Sequence, residues 1–187
     1  MGFIDRQPCF ATHPLAATDY VWLAALGAAE RAPITAEDVA AAVDALAGPL
    51  WTPVYELVSD SMSHMIDQGC LTPAADLGRY ALTGAGRRRL VDLLSRPVQA
   101  PLSAFGQVGV RLKLAFADIL PPILRRHQIN AVIRAYECEM AARSARCKAW
   151  PLNGPLGRTW LDHHLDELED GLALLRQLAR METPSLT

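Results

Sequence analysis

Thr52, Tyr55, Ser59, Ser63 and His64 place hydroxyls and an imidazole at spacings that bring several of them to one side of a helix. Groups of this kind hydrogen-bond base edges or phosphate oxygens. Arg79 follows, and then the run Arg87, Arg88 and Arg89, which can neutralise phosphate. A second polar set lies near the other end: Asp162, His163, His164, Asp166, Glu167, Glu169 and Asp170. His163 with Glu167, or Asp166 with Asp170, has the four-residue spacing that lets two ligands share a metal on a helix. The same residues fall on the polar faces of a leucine-lined helix, where charge is expected anyway, so solvated surface or interfacial ion pairs is the preferred reading. No strained nucleophile turn and no glycine-rich phosphate loop accompanies either set. No catalytic residue, cofactor or metal is therefore assigned.

The first set needs a scaffold, and the sequence supplies one between Trp51 and Leu94. A helix from Tyr55 to Gln68 has Val58, Met62, Met65 and Ile66 as its apolar stripe, and Gly69 suits its left-handed end. Two extended segments, Cys70-Leu71 and Arg79 to Leu82, flank a turn-rich loop. Thr83 then caps a helix whose buried stripe is Leu90, Val91 and Leu94. Helix, two-stranded wing, helix is a winged helix, an arrangement that presents one helix to the DNA major groove. Upstream, Thr18 reads as the cap of a helix carrying Tyr20, Val21, Leu23, Ala24 and Leu26 and ending near Gly27, with Trp22 packed beside it. Thr35 and Asp38 form a near capping box for a second helix with Val39, Val43 and Leu46, stopped by Gly48-Pro49.

The region also resembles the PadR family of bacterial transcriptional regulators. Trp51 matches the family's Trp, Met62 and Met65 its helix leucines, and Gly69-Cys70-Leu71 its helix end. Tyr80-Ala81-Leu82-Thr83-Gly84-Ala85-Gly86 matches the return from the wing. A second passage, Phe116-Ala117-Asp118-Ile119-Leu120-Pro121-Pro122, resembles a family passage in the same order. The chain departs where the family has Tyr for Ser59, arginines near Ser63 and His64, Arg for Ala81 and Gly for Glu56. The resemblance implies a C-terminal helical dimerisation domain, operator DNA as partner, and flat aromatic or phenolic effectors in some relatives.

Pro97 to Ser103 lacks charge and periodicity and reads as a boundary. The expected organisation is an N-terminal extension (1–18), a winged helix (19–97) and a helical dimerisation domain (104–187). Within the last, Phe105, Val108, Leu112, Phe116 and Ile119 trace one stripe, and Pro121-Pro122 starts a helix running on through Trp150. A final helix spans about Thr159 to Met181. Its Leu161, Leu165, Leu168, Leu172, Leu175 and Ala179 step by four and three, which is a heptad seam. That seam either folds on the other C-terminal helices or pairs with a second subunit, and the resemblance favours the pair. Leu174 and Leu178 widen the stripe. Trp150 and Trp160 flank the preceding turn and are candidates to line a pocket for a small aromatic effector.

The fold class expected is thus mainly α: an N-terminal winged helix-turn-helix with a small β wing, then a helical dimerisation region. Charge complicates the DNA reading. Residues 1–100 hold 7 Arg against 11 Asp plus Glu, net −4, and Glu56 and Asp60 sit on the presumed reading helix. The alternative is a degenerate winged helix that binds protein instead of DNA. Four scattered cysteines, no apolar span and no leader pattern point to reduced thiols in the cytoplasm and no membrane partner.

Overall fold

A computed structural model describes residues 13–76, 78–149 and 154–181, so the expected extension is described only from His13 onward. Seven helices and one two-stranded antiparallel sheet occur among them, in the order α1 (Ala17–Ala29), α2 (Ala36–Ala47), α3 (Tyr55–Asp67), β1 (Leu71–Pro73), β2 (Tyr80–Leu82), α4 (Gly84–Ser95), α5 (Ala104–Ala115), α6 (Pro122–Ala149) and α7 (Pro155–Met181). The fold is mainly helical, with the winged helix that the spacing predicts.

α1 is the central element. Its residues Tyr20 to Gly27 are all buried, as a helix apolar on every side must be. α2, α3, α4 and α5 pack around it. Two expectations for α1 are corrected. The cap is Ala16 rather than Thr18: the Asp19 carboxylate accepts from the Ala16 amide at 3.0 Å and satisfies the helix start. The helix also passes Gly27 and ends at Ala29. Gly27 is there for packing, because a Cβ on it would lie 2.6 Å from the Phe116 ring.

α2 opens as predicted, with Thr35 Oγ1 accepting from the Asp38 amide and the Asp38 carboxylate accepting from the Thr35 amide. Asp38 is held below the usual carboxylate range chiefly by that backbone hydrogen bond. α3 buries Val58, Ser61, Met62 and Met65, and the chain leaves it through Gly69 at φ +66°. The wing pairs Leu71 with Leu82, Thr72 with Ala81 and Pro73 with Tyr80, so Cys70 and Arg79 stand just outside the strands assigned to them. Ile34 adds a bridge that periodicity does not reveal: its amide and carbonyl both bond to Tyr80, at 2.9 and 2.8 Å. Thr83 locks the return, accepting from the Gly86 amide at 3.0 Å and donating to the Gly69 carbonyl at 2.6 Å.

The stripe from Phe105 to Ile119 is not one helix. α5 stops at Ala115 and the chain tightens into a 3-10 turn, Ala117–Ile119, before Pro121-Pro122. α5 lies against α1 and α2. Its Lys113 is buried, donating to the Arg96 carbonyl at the end of α4 and to Gln128 Oε1 of α6 at 3.0 Å. Burial without a carboxylate partner pushes the Lys113 ammonium down to about 8. α7 begins four residues before the expected Thr159, with Pro155 in its first turn. It folds back along α6 and buries Leu168, Leu172 and Leu175, with Leu161 and Leu165 half-buried.

Candidate nucleic-acid interface

α3 projects from the α1–α2–α4 body with the wing beside it, and its outer side is polar because its inner side is spent on Val58, Met62 and Met65. Glu56, Asp60, Ser63, His64 and Asp67 are exposed there, while Ser59 is half-buried. The helix separates the predicted contacts into two flanks. Tyr55, Ser59 and Ser63 line a groove of about 390 Å³ with Thr35 and Glu37 of the α2 start and Tyr80 of the wing. Ser63 Oγ donates to the Ser59 carbonyl at 3.0 Å. His64 lies on the other flank, edge-on to Trp22 at 5.7 Å, with its Nε2 2.7 Å from Gln68 Nε2. Thr52 is exposed just before α3.

The arginines are arranged differently from a free cationic face. Arg79 Nη1 donates to the Pro33 carbonyl at 2.8 Å and its Nη2 lies 3.9 Å from Asp38. Arg87 pairs with Glu30 at 2.7 Å. Arg89 meets Asp92 at 2.8 Å and Asp19 at 3.7 Å, with its guanidinium 5.6 Å from the Trp22 ring centre. Arg96 shares the same two carboxylates. Arg88 is exposed and makes no ion pair among the described residues. The i,i+3 and i,i+4 pairs around Asp92 were readable from spacing alone, whereas Asp19's part in them was not.

In the C-terminal half, Trp160 is 65% exposed and stacks on His164, centroids 5.7 Å apart. His164 Nε2 is 3.3 Å from Arg143 and Nδ1 is 3.5 Å from Glu167. Trp150, the other effector candidate, lies outside the described residues. Among the described residues no three His, Cys, Asp or Glu side chains gather as a metal site. No helix there is long and apolar enough to cross a membrane.

Residues 10–179 match the family model described as AphA-like transcriptional regulator. The chain belongs to this PadR-like family. The regulator is also similar to solved structures of Bacillus subtilis PadR. The structure titled as PadR alone shares 15% identity at TM-score 0.41, covering 91% of this chain and 98% of that one. That with p-coumaric acid shares 15% at TM-score 0.40 over 90% and 98%. That with operator DNA shares 16% at TM-score 0.38 over 87% and 99%. No curated protein sequence matches the regulator.

Proposed function

We propose that this PadR-type regulator represses transcription as a homodimer bound to pseudo-palindromic operator DNA. Family membership over 170 of 187 residues, from residue 10 to 179, carries the reading. α3 enters the major groove and the β1–β2 wing lies along the adjacent backbone. Tyr55, Ser59 and Ser63 reach base edges or phosphate from one flank, His64 from the other, and Thr52 meets phosphate at the helix start. Arg88 is exposed and available to phosphate, while Arg79 and Arg87 act after exchanging their intramolecular partners for phosphate. A small aromatic effector bound near Trp160 would favour one arrangement of the two heads over another.

The partner subunit is met along α7. Leu161, Leu165, Leu168, Leu172 and Leu175 are the seam expected to make that contact. The within-chain burial of the last three favours their serving the α6–α7 hairpin, with Leu174 at 56% exposed offering the outward face. The fitting experiment is binding to DNA upstream of the coding region over a range of salt. Affinity that falls as salt rises supports the reading. Absence of binding at low salt removes it.

One observation favours the alternative of a head that binds protein. Glu56, Asp60 and Asp67 are exposed on α3 without an ion pair among the described residues, while four of the head's arginines are paired internally. A basic protein partner captured in place of DNA would distinguish it.

A further inference from the structure

The flank of α3 that faces away from the wing forms a cleft of about 530 Å³ with α1 and α4, lined by Trp22, Asp60, Ser61, His64, Gln68 and Arg89 among others. Its groups are unevenly satisfied. Ser61 is only 6% exposed, yet its hydroxyl makes no hydrogen bond among the described residues. Ser63, two positions on, does bond back to the Ser59 carbonyl, the usual outlet for a helical serine. The Ser61 oxygen is not sealed from solvent, so it faces the cleft as a donor and acceptor that a ligand can complete. Asp60 on the rim is likewise without an ion pair. Arg89, the one permanent cation in the lining, is already matched by Asp19 and Asp92. The uncompensated charge of the cleft is therefore negative.

Trp22 adds a preference of its own. Its ring, 7% exposed where it lines the cleft, lies 5.6 Å from the Arg89 guanidinium and 5.7 Å from the His64 ring, so the aromatic floor already packs against one flat cation. From these observations we infer that the α1–α3–α4 cleft is a binding site for a small planar aromatic cation. The aromatic body lies against Trp22 beside Arg89 and His64. The cationic N–H groups donate to the Asp60 carboxylate and the Ser61 hydroxyl. An amidinium suits this pair because its two parallel N–H vectors match a carboxylate. The inference stands apart from operator binding, since the ligand is measured on the free chain. α3 is one wall of the cleft, however, so where the operator reading holds, occupancy and DNA affinity shift each other reciprocally.

Benzamidine and benzoate, flat molecules of nearly equal shape and opposite charge, are the probes. Both are titrated into the full-length protein without DNA, following the tryptophan indole and Gln68 amide resonances by NMR. Trp22 is assigned from Trp22→Phe, or by sequential assignment if that variant does not fold. The expected result is a saturable shift at Trp22 and Gln68 with benzamidine, dissociation constant on the order of 1 mM, and none with benzoate. Asp60→Asn, an exposed substitution, should weaken benzamidine about tenfold through loss of the charged hydrogen bonds. Ser61→Ala should weaken it less. No saturable shift at Trp22, equal binding of benzoate, or an Asp60→Asn variant that binds like wild type would each overturn the assignment.

Discussion

Arg79 donates to the carbonyl of Pro33 at 2.8 Å, so the cation at the wing is anchored to the loop before α2. The contact joins wing to body, as does the Ile34–Tyr80 bridge directly beside it. Arg79→Ala is therefore expected to act in two ways. Stability should fall by no more than about 1 kcal/mol, because the ion pair with Asp38 is exposed. If Arg79 also exchanges onto phosphate, the slope of log affinity against log salt should shrink by about 1 per head. Fluorescence anisotropy across a salt series reads the second effect. An unchanged slope and affinity would confine Arg79 to the structural role.

Gly27 and Gly84 should respond oppositely to alanine. At Gly27 the added methyl meets the Phe116 ring at 2.6 Å inside the core, and overpacking of that kind costs about 1–3 kcal/mol. At Gly84, in the first turn of α4, the nearest atom is the end of the Arg88 side chain at 3.8 Å. The substitution there should be neutral or stabilising by about 0.5 kcal/mol. Urea unfolding of the two variants beside wild type decides it.

Much of this was legible in the chain itself, and the failures have physical causes. The α3 stripe, Gly69, Thr83 and the capping pair Thr35–Asp38 are local devices, so their spacing announces them. Gly27 suggests a helix end nearby because a glycine required for close approach cannot be told from a terminator without Phe116, which is distant in sequence. Period alone carried the α5 stripe on to Ile119, although the backbone tightens before Pro121-Pro122. Ile34 contributes one residue to the sheet and so leaves no pattern. The grouping of polar candidates around α3 was visible, but their division between two flanks was not. The pairing of Arg87 with Glu30 depends on the packing of α4 against α1 and could not be read from either segment.

Stability should show a maximum at about pH 10. Lys113 titrates near 8 in the fold against an ordinary 10.5. Between those values the unfolded chain binds more protons, so stability rises with pH. Tyr20 is pushed up to about 12 from 10.0, mainly by burial and then by Asp19. There the folded chain holds the extra proton, so stability falls as pH rises from about 10 toward 12. Chemical denaturation from pH 7 to 11 should give the rise and then the fall. Lys113→Met should remove the rise and Tyr20→Phe the fall.

Two substitutions on α7 should separate folding from assembly. Leu168 is buried against the rest of the chain, so Leu168→Asp should cost several kcal/mol and loosen α7 from α6. Leu174 is more than half exposed, so Leu174→Asp should leave the thermal transition nearly unchanged and shift a homodimer toward monomer in sedimentation. A Leu174→Asp protein that sediments as a dimer like wild type would place the subunit contact elsewhere.

The most direct test of the regulator reading is selection of bound duplexes from a random DNA library by the purified full-length protein at low salt. The prediction is an enriched inverted repeat with half-sites about one helical turn (~34 Å) apart, and loss of that enrichment when Ser59 and Ser63 are both changed to alanine. A library that emerges unenriched at the lowest salt tested would contradict it.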